Sequence, residues 1–337
     1  MFWRQFYKFF LFLSIFSNFI FFSCSQRSNT LDNLEEGIAQ VIKEAGPSVI
    51  SISAKNNKQK TTKYGSGVII GGGYVITTEN LLQNVDEIVI KLQDGREIPD
   101  SSISMINCDF ETDVSLIELK DKNLKPAKIA KQIKMGSLGI ALGNTEYSVG
   151  LQATLGIVGS SWIGGVDFYD ENLLILNVPC GLCLAGTPVF NTKSELIGLI
   201  EGRLKEDRDV VLLLPVTTCL KVSDILKKNG EVKRGWIGIK SPLETERFKE
   251  RKGVEIEEVL EGSPAFKAGL LKGDLIVECN KVPIKNKVSL IKMISQYKNG
   301  TEITLTLIRD RKKIEKNVVV EEAKEIPRMR RCVDKSI

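Results

Sequence analysis

Few side chains in this sequence could carry out chemistry, because the chain has no histidine. Histidine is the side chain that most often acts as a general base near neutral pH. The remaining candidates are the carboxylates of Glu79 and Asp113 and the thiol of Cys183. A thiol becomes a good nucleophile when a cation, a helix N-terminus or a nearby base lowers its pKa. Catalysis by Cys183 or by Glu79 is therefore a minor alternative to exposed polar side chains without a catalytic role.

Cys180 and Cys183 are separated by two residues, which is the spacing of redox-active cysteine pairs. They do not open a helix after a strand in a βαβ unit, so a local disulfide or two ordinary thiols is the favoured interpretation. With no histidine and no second close cysteine pair, a zinc site is not expected. We predict neither a metal nor another cofactor.

The composition is that of a soluble globular protein with more than one domain. A length of 337 residues suits two or three domains, and 42% hydrophobic with 26% charged residues is ordinary for such proteins. The net charge of +5 is spread along the chain, with one small cluster at Arg328, Arg330 and Arg331. No basic stripe is interleaved with aromatic residues, so a nucleic-acid partner is not expected.

Residues 1–24 are predicted to be an export signal. A basic start precedes an apolar run from Phe9 to Phe22, which is shorter than the ~20 apolar residues of a membrane-spanning helix. Ser23 and Cys24 follow this run in a pattern similar to a bacterial lipobox, whose cysteine becomes the lipid-bearing first residue. We predict a lipid anchor to the membrane at Cys24, with a soluble exported protein or an uncleaved anchor as alternatives. Residues 25–33 then form a short tether.

An exported protein can form disulfides, and six cysteines remain if Cys24 carries lipid. The sequence does not choose among the pairings that six cysteines allow. The six are Cys108, Cys180, Cys183, Cys219, Cys279 and Cys332.

A short helix and then many short strands are predicted before residue 130. Leu34, Ile38 and Val41 recur at helical spacing until Gly46 and Pro47 end the helix. Alternating or glycine-bounded apolar runs predict strands at Ser48–Ser53, Gly65–Ile70, Tyr74–Thr78, Glu87–Leu92, Arg96–Ile98 and Val114–Leu119. Many short strands with few helices favour antiparallel barrels or sandwiches over a parallel sheet.

A second set of strands follows and ends in a helix. The strands are Leu138–Leu142, Gln152–Ser160, Leu173–Val178, Thr187–Phe190, Leu196–Glu201 and Val210–Leu214. The closing helix is predicted over Thr218–Lys228, with Gly230 as its C-cap.

Lys233 and Arg234 are predicted to link this region to a last unit. The predicted strands of that unit lie near Ile237 and at Val254–Val259, Asp274–Cys279, Thr301–Ile308 and Ile314–Val320. Its helix is predicted over Ser289–Tyr297, capped by Gly300. Residues 323–337 have no periodicity and are predicted to be a flexible tail.

Several motifs are informative because of their common order and spacing. They are GSGVII at 65–70 followed by YVIT at 74–77, ETDVSLI at 111–117, GIVGS at 156–160, GEVKRGWIGI at 230–239 and GSPAFKAGLLKGDLI at 262–276. Together they resemble the HtrA/Deg family of trypsin-like serine proteases, which carry one or two PDZ domains. The resemblance covers roughly residues 35–321. It implies a mainly β fold, with a trypsin-like double β-barrel followed by an α+β PDZ domain.

The domain boundaries implied by this resemblance follow the predicted elements. They are a signal at 1–24, a tether and helix at 25–46, a first barrel at 47–130, a second barrel at 131–230, a PDZ domain at 234–322 and a tail at 323–337.

The resemblance places the three catalytic positions of the family at Asn80, Asp113 and Ala185. Asn80 stands at the histidine position, which a shift of one residue would move to Glu79, and Ala185 stands at the serine position. Alanine has no nucleophilic atom, and an asparagine amide does not act as a base. Loss of either partner typically removes ~10⁶ in turnover, so we predict an inactive protease with Asp113 as a structural hydrogen-bond acceptor. Cys183 replaces a glycine and further weakens an oxyanion hole.

The PDZ unit keeps the residues that the family uses to bind peptides. The resemblance implies that Gly235, Trp236, Ile237 and Gly238 form a loop for a terminal carboxylate, with the peptide added as a strand at Ile239. The helix beside the peptide contains Leu290 and Ile294. The alternative is that Trp236 and Ile237 only fill the core of a small domain.

The resemblance therefore implies a non-catalytic homologue in the bacterial cell envelope that binds peptides or misfolded proteins. An active endopeptidase with substituted chemistry is one alternative. A regulatory subunit that joins an active relative is another, because family members commonly form trimers through their N-terminal region. The tail ends at Ser336 and Ile337, which offers an apolar side chain and a carboxylate. The tail is thus a candidate ligand for the PDZ groove of its own chain. The alternative is a disordered terminus that binds nothing.

Overall fold

The N-terminal helix α1 is attached at its C-terminal end. The computed structural model describes residues 31–109, 111–143, 150–161, 173–178, 185–203, 210–241 and 253–322, and α1 covers residues 31–45. Val41 and Ala45 pack into a core cluster. Glu44 accepts hydrogen bonds from Lys128 at 3.0 Å and Gln40 at 2.7 Å. These bonds, with a further one from Ser194, lower the pKa of Glu44 to about 2.

The first barrel is an antiparallel sheet of seven strands. The strands are β1 Val49–Asn56, β2 Thr61–Gly71, β3 Tyr74–Thr78, β4 Glu87–Leu92, β5 Glu97–Ile98, β6 Ile103–Asp109 and β7 Val114–Leu119, with helix α2 at Glu79–Leu82 and 3-10 turns at Gly46–Ser48 and Asp100–Ser102. Their order in the sheet is β5-β4-β1-β2-β3-β7-β6. Alternate residues such as Ile50 and Ile52 point into one apolar core. Strands β3 and β7 are therefore neighbours in this sheet, and α2 follows directly after β3.

The second barrel is a sheet of seven strands that closes on itself. The strands are β8 Lys128–Ile129, β9 Leu138–Gly143, β10 Gln152–Ser161, β11 Leu174–Asn177, β12 Pro188–Phe190, β13 Glu195–Arg203 and β14 Val210–Pro215. They follow the order β12-β9-β10-β11-β14-β13-β8, and β12 also pairs with β13. Strand β8 joins β13 in parallel, whereas the other pairs are antiparallel.

Helix α3 (Val216–Asn229) follows the second barrel and contacts strands of both barrels. Gly230 ends the helix in the left-handed conformation (φ 78°) and donates its N–H to the Leu226 carbonyl, as the sequence predicted for this C-cap. The Leu226 carbonyl also accepts a hydrogen bond from the Asn107 side chain at 3.1 Å. The end of α3 is thereby joined to β6 of the first barrel.

The last unit is a small α+β domain built on short strands. It contains β15 Gly235–Trp236, β16 Ile239–Lys240, β17 Val254–Glu255, β18 Glu258–Val259, β19 Leu275–Cys279, β20 Val282–Pro283, β21 Glu302–Arg309, β22 Lys312–Val319, β23 Glu321–Glu322, and helices α4 Pro264–Lys267 and α5 Lys287–Ser295. The main sheet has the order β17-β19-β21-β22, with β20 beside β19. Strands β15 with β23, and β16 with β18, form two further ribbons.

Two predicted elements of this domain differ in the structure. The predicted strand Val254–Val259 is divided into β17 and β18, because Ile256 donates its N–H to Asp274 and not to a continuous ladder. Helix α5 begins at Lys287, where Asn286 and Ser289 form a capping box. It ends at Ser295, so Gly300 is not its cap and instead donates its N–H to the Val320 carbonyl.

The described cysteines differ in their state. Cys219 and Cys279 are both buried, and burial raises the pKa of the Cys279 thiol to about 11. Cys108 is disulfide-bonded. Within the part of the chain that the structure describes, no helix is both long and apolar enough to cross a membrane. The predicted signal and Cys24 lie outside the described residues.

Candidate functional site

Asp113 lies at the end of the loop between β6 and β7 and binds the start of α2. Its Oδ1 accepts a hydrogen bond from the backbone N–H of Asn80 at 2.7 Å, and its carbonyl accepts the N–H of Glu79 at 3.1 Å. The first N–H groups of a helix have no partner within the helix, so an acceptor from elsewhere stabilises its start. Asp113 adopts a φ of 53°, which aspartate tolerates better than most residues. Asp113 therefore stabilises the start of α2 in this structure.

Asn80 and Glu79 differ in their exposure. Asn80, at the expected histidine position, is exposed, whereas the side chain of Glu79 is buried. The ammonium group of Lys63 donates to the carbonyls of Asn80 at 2.8 Å and Gln83 at 3.0 Å. Helix α2 is therefore held at its start by Asp113 and at its end by Lys63.

Ala185 is joined to the first barrel through its backbone. Its carbonyl accepts the N–H of Ser66 on β2 at 3.3 Å, and the next residue, Gly186, donates its N–H to Ile200 on β13 at 2.8 Å. Gly186 has a φ of 79°, and a Cβ there would overlap the Ser66 carbonyl and the Thr77 hydroxyl. Only glycine fits this contact. The expected nucleophile position thus lies beside β2 of the first barrel, and its side chain is a methyl group.

Gly65 lies between this segment and α2. A Cβ on Gly65 would lie 2.7 Å from the Ala185 carbonyl oxygen and 2.6 Å from Cδ2 of Leu81, which follows Asn80 in α2. The structure therefore brings the segments of all three expected catalytic positions to one place. Cys180 and Cys183 lie outside the described residues, so the predicted alternatives for them are not tested.

Arg234 connects the last domain to the loop that carries Asp113. Its guanidinium group makes two hydrogen bonds to Asp109, both of 2.6 Å, and an ion pair of 3.1 Å with Glu111. Thr112 donates a hydrogen bond to the same Asp109 carboxylate at 2.5 Å. The three charged side chains are only 13%, 5% and 11% exposed, in the order Arg234, Asp109, Glu111. A forked guanidinium group suits this two-point contact better than a lysine would.

The sequence did not predict this role for Arg234, which was taken as part of a linker. Arg234 and Asp109 are separated by 125 positions, so no local pattern links them. The available signal was the acidic pair Asp109 and Glu111, which lies just before Asp113. The sequence does not identify the cation that binds this pair.

The expected carboxylate-binding loop begins at β15. Ile237 and Gly238 direct their carbonyls into the domain, where they accept the N–H groups of Ala265 at 2.8 Å and Leu260 at 2.9 Å. Gly238 has a φ of 80°, and a Cβ there would overlap the side chain of Ser263. Gly235 is equally confined, because its Cβ would meet the Ile294 carbonyl at the end of α5. The backbone course of this loop therefore depends on its glycines.

The residues predicted to line the peptide groove are largely buried. Ile237, Leu290 and Ile294 all belong to the core cluster of the domain, and Ile239 packs against it half-buried. The neighbouring Ile291 is half-buried and lies about 100° around α5 from Leu290. Leu290 and Ile294 can form only the floor of a groove beside α5, and Ile291 is the additional candidate for its wall.

An ion pair with a buried carboxylate also lies within the last domain. Arg309 binds Asp274 with hydrogen bonds of 2.6 and 2.7 Å, and the N–H of Leu271 binds the same carboxylate at 2.8 Å. Burial alone would raise the pKa of Asp274, but these hydrogen bonds outweigh it and hold the pKa below its usual range. Asp274 is therefore a structural group and not a candidate acid.

Two family models match the chain. One, described as a trypsin-like peptidase domain, matches residues 65–199, and the other, described as a PDZ domain, matches residues 235–320. These ranges contain Asn80, Asp113, Ala185 and the loop from Gly235 to Ile239. The predicted fold class, trypsin-like barrels followed by a PDZ domain, is confirmed.

Curated relatives and solved structures agree with the family models. A "Probable periplasmic serine endoprotease DegP-like" of Buchnera aphidicola subsp. Schizaphis graminum is 31% identical over 278 residues, 78% of this chain and 57% of the relative. A protein of the same description from Pseudomonas putida is 29% identical over 274 residues, 77% of this chain and 57% of the relative. The chain thus spans a little more than half the length of these relatives.

The solved structures share the fold over most of the chain. The serine endoprotease from Yersinia pestis has a TM-score of 0.71 at 23% identity and covers 85% of this chain and 98% of its own. The HtrA-type protease AlgW, solved with a tripeptide, has a TM-score of 0.72 at 23% identity, with 85% and 97% covered. At 23% identity, this similarity supports a shared fold and nothing more specific.

Proposed function

We propose that this chain, an HtrA/DegP-type homologue with a trypsin-like peptidase domain and one PDZ domain, binds peptide segments without cutting them. One observation carries the proposal: the sequence has no histidine, and alanine stands at position 185. Acyl transfer by this kind of site needs a hydroxyl that attacks and a base that takes its proton. Position 185 supplies no hydroxyl, and a chain without histidine has no imidazole to act as the base.

The contacts of Asp113 are compatible with the non-catalytic interpretation. In a working site the carboxylate orients the base that activates the nucleophile. Here Oδ1 receives the backbone N–H of Asn80, and the Asn80 amide has no basic nitrogen. The carboxylate thus stabilises the start of α2, which gives it a use that does not depend on catalysis.

The PDZ domain is proposed to supply the binding activity. A peptide adds as a strand beside β16, and the loop from Gly235 to Gly238 receives the terminal carboxylate. The positive φ of Gly238 and the inward carbonyls of Ile237 and Gly238 support this proposal, because they set the course of the loop. Ile239 and Ile291 are then in position to contact the apolar end of the peptide.

The proposed location is the bacterial cell envelope. The curated relatives are named as periplasmic proteins, and the first 24 residues have the composition of an export signal. Lipidation at Cys24 is part of this proposal. Mass spectrometry of the protein isolated from membranes measures it: a diacylglyceryl group on Cys24 supports the anchor, and an unmodified Cys24 rules it out.

The catalytic part of the proposal is tested with purified residues 25–337 and denatured casein over a range of pH. We expect no turnover above that of the Asp113→Ala variant prepared in parallel, because neither protein has a nucleophile and base. Turnover by the natural chain that is lost in Asp113→Ala or in Cys183→Ala would show substituted chemistry and overturn the proposal.

The binding part is tested with a library of C-terminal peptides and their amidated counterparts. We expect binding that needs the free carboxylate and that weakens at least about tenfold in Gly238→Ala, because the new Cβ displaces the loop. Gly262→Ala is the matched control, since Gly262 also has a positive φ but no atom within 4 Å of its Cβ position. Equal affinity for free and amidated peptides would contradict carboxylate recognition.

A further inference from the structure

One surface segment between the two barrels carries a regular series of lysines. From position 122 to position 134 every third residue is a lysine, and the segment contains no other charged residue. All of these lysines are exposed. Their summed charge equals the formal net charge of the whole chain, +5, so the charges of all other residues cancel. The net charge is therefore concentrated in this lysine segment, which contains Lys122, Lys125, Lys128, Lys131 and Lys134.

The inner side of the lysine segment is fixed by apolar residues that have the same three-residue spacing. Leu124 belongs to the core of the first barrel, and Ala130 belongs to the core of the second barrel, against which Ile133 also packs. Ala127 packs against the cluster that joins α1 to both barrels. Because an apolar residue turns inward at every third position, the lysines between them stay on the solvent side.

The lysines differ in whether a carboxylate compensates their charge. Lys122 forms an ion pair of 2.7 Å with Glu118, and Lys128 forms one of 3.0 Å with Glu44. Among the residues that the structure describes, no carboxylate pairs with the other three, which are Lys125, Lys131 and Lys134. Exposed cations without counter-charges attract an anionic partner.

An exposed apolar patch borders the end of the lysine segment. Met135 follows Lys134 in a tight turn and is 66% exposed. The next residue, Gly136, donates its N–H to the carbonyl of Val158 on β10 at 2.7 Å, which holds the turn against that strand. Ile157, beside Val158, points to the outer face of β10 and is 51% exposed. Cations and apolar side chains thus share one surface.

The lysine segment is also tied to the helix that follows the predicted lipid anchor. Lys125 donates a hydrogen bond of 3.2 Å to the carbonyl of Glu44 at the end of α1. Helix α1 has a length of about 22 Å, and the chain from Cys24 to its first residue spans at most about 25 Å. An anchor at Cys24 holds the segment within about 50 Å of a bilayer, and such tethering gives local concentrations of about mM.

We propose that the lysine segment, together with Met135 and Ile157, docks onto the surface of an anionic phospholipid bilayer. Lipid phosphates attract lysines near the surface, and an apolar side chain can enter the boundary between headgroups and acyl chains. A soluble polyanion has no such boundary and leaves Met135 without a contact. The docking surface goes beyond peptide binding, and only the tethering argument rests on the proposed anchor at Cys24.

The first experiment measures cosedimentation of residues 25–337, which lack the lipidated cysteine, with vesicles. We expect binding to phosphatidylglycerol mixed with phosphatidylcholine, weakened by salt, and no binding to phosphatidylcholine alone. The double variant Lys131→Gln/Lys134→Gln should bind about 25-fold more weakly, because each lysine near an anionic surface strengthens binding about fivefold. Equal binding to both kinds of vesicle, or to neither, would overturn the proposal.

The matched control is Lys272→Gln/Lys312→Gln, which removes the same charge from exposed positions of the last domain. This control should bind vesicles like the natural chain. An equal loss in the two double variants would assign binding to the net charge alone and overturn the docking surface.

The variant Met135→Ser tests the apolar contact. It should bind the anionic vesicles about tenfold more weakly, because burial of a methionine side chain contributes about that factor or more. Its circular dichroism should be unchanged, since Met135 is exposed. Vesicle binding equal to that of the natural chain would show a purely ionic contact and overturn the proposed mode.

A second copy of the chain is the competing occupant of this surface, because the first half of α1 is exposed and acidic at Asp32, Glu35 and Glu36. Light scattering of the natural chain and of Lys131→Gln/Lys134→Gln separates the two occupants. Loss of self-association in the variant with unchanged vesicle binding would overturn the membrane proposal. Peptide affinity should be equal in both proteins, so failure of peptide binding and failure of vesicle binding are distinguishable.

Discussion

The contact of Arg234 with Asp109 and Glu111 permits a sharp test of how the last domain is joined to the barrels. We consider the substitution Arg234→Ala in residues 25–337. It removes two hydrogen bonds of 2.6 Å and an ion pair of 3.1 Å, and it leaves two carboxylates at a site that is almost closed to solvent. The adjacent Lys233→Ala is the matched control, because Lys233 is 61% exposed in its ion pairs.

The expected magnitude follows from the burial of the three side chains. Removing one partner of a buried ion pair typically costs about 3–5 kcal/mol, because the remaining charge is left uncompensated. Arg234 retains some exposure, so we expect a loss near the lower limit, about 3 kcal/mol. Lys233→Ala should change the free energy of unfolding by no more than about 0.5 kcal/mol. Arg234→Lys should fall between the two, since lysine keeps the charge but not the forked contact.

The assay is urea unfolding at neutral pH, followed by circular dichroism and by hydrogen exchange in β6 and β7. A chain of several domains need not unfold in one step, so the transition assigned to the first barrel by exchange is the one compared. A loss below about 1 kcal/mol in Arg234→Ala would refute the reasoning. The same refutation follows if Arg234→Lys and Arg234→Ala are equally stable, because the forked geometry would then contribute nothing.

Two further predictions concern the barrels. Gly186→Ala should destabilise the barrels by more than the ~1–2 kcal/mol that a left-handed backbone costs a residue with a Cβ, because the new Cβ also overlaps the Ser66 carbonyl. The control in thermal unfolding is Gly95→Ala, since Gly95 has a positive φ but open space around its Cβ position. Equal losses of stability in the two variants would contradict the overlap. Hydrogen bonding, chiefly from Lys128, holds the pKa of Glu44 at about 2. The stabilisation by this carboxylate is therefore complete above pH 4.5 and is lost as the pH falls toward 2. An NMR titration of Glu44 should show the low pKa, and Lys128→Met should move it upward; an unchanged value in that variant would remove Lys128 as the cause.

The strands of the barrels were largely predictable because their signals are local. The predicted limits Glu87–Leu92 and Val114–Leu119 are those of β4 and β7, and the glycine turn after Ile70 joins β2 to β3. Strand β6 was missed, because its sequence has only a weak apolar alternation and its pairing with β7 supplies the remaining stabilisation. Strand β8 was missed for a similar reason, since it has two residues and depends on β13.

The candidate site was predictable in its residue types but not in its contacts. Asn80, Asp113 and Ala185 were assigned from the resemblance to the HtrA/Deg family, and the structure brings their segments together around Gly65. The sequence placed Leu290 and Ile294 beside a bound peptide, which stays a prediction, and the structure adds that both side chains belong to the core of the domain. A helix with apolar residues on adjacent faces does not reveal which face meets the core until the sheet beneath it is in place.

The sequence by itself determined the properties that depend on residue identity and short spacing. It excludes histidine chemistry by composition, and it predicts hairpins and the left-handed cap at Gly230, because these elements need only neighbouring residues. The tertiary structure alone decided which distant groups meet. Arg234 reaches Asp109 across 125 positions, and Asp113 receives the N–H of Asn80 across 33. Such pairs depend on the packing of whole strands and domains, and charge or spacing along the chain does not identify them.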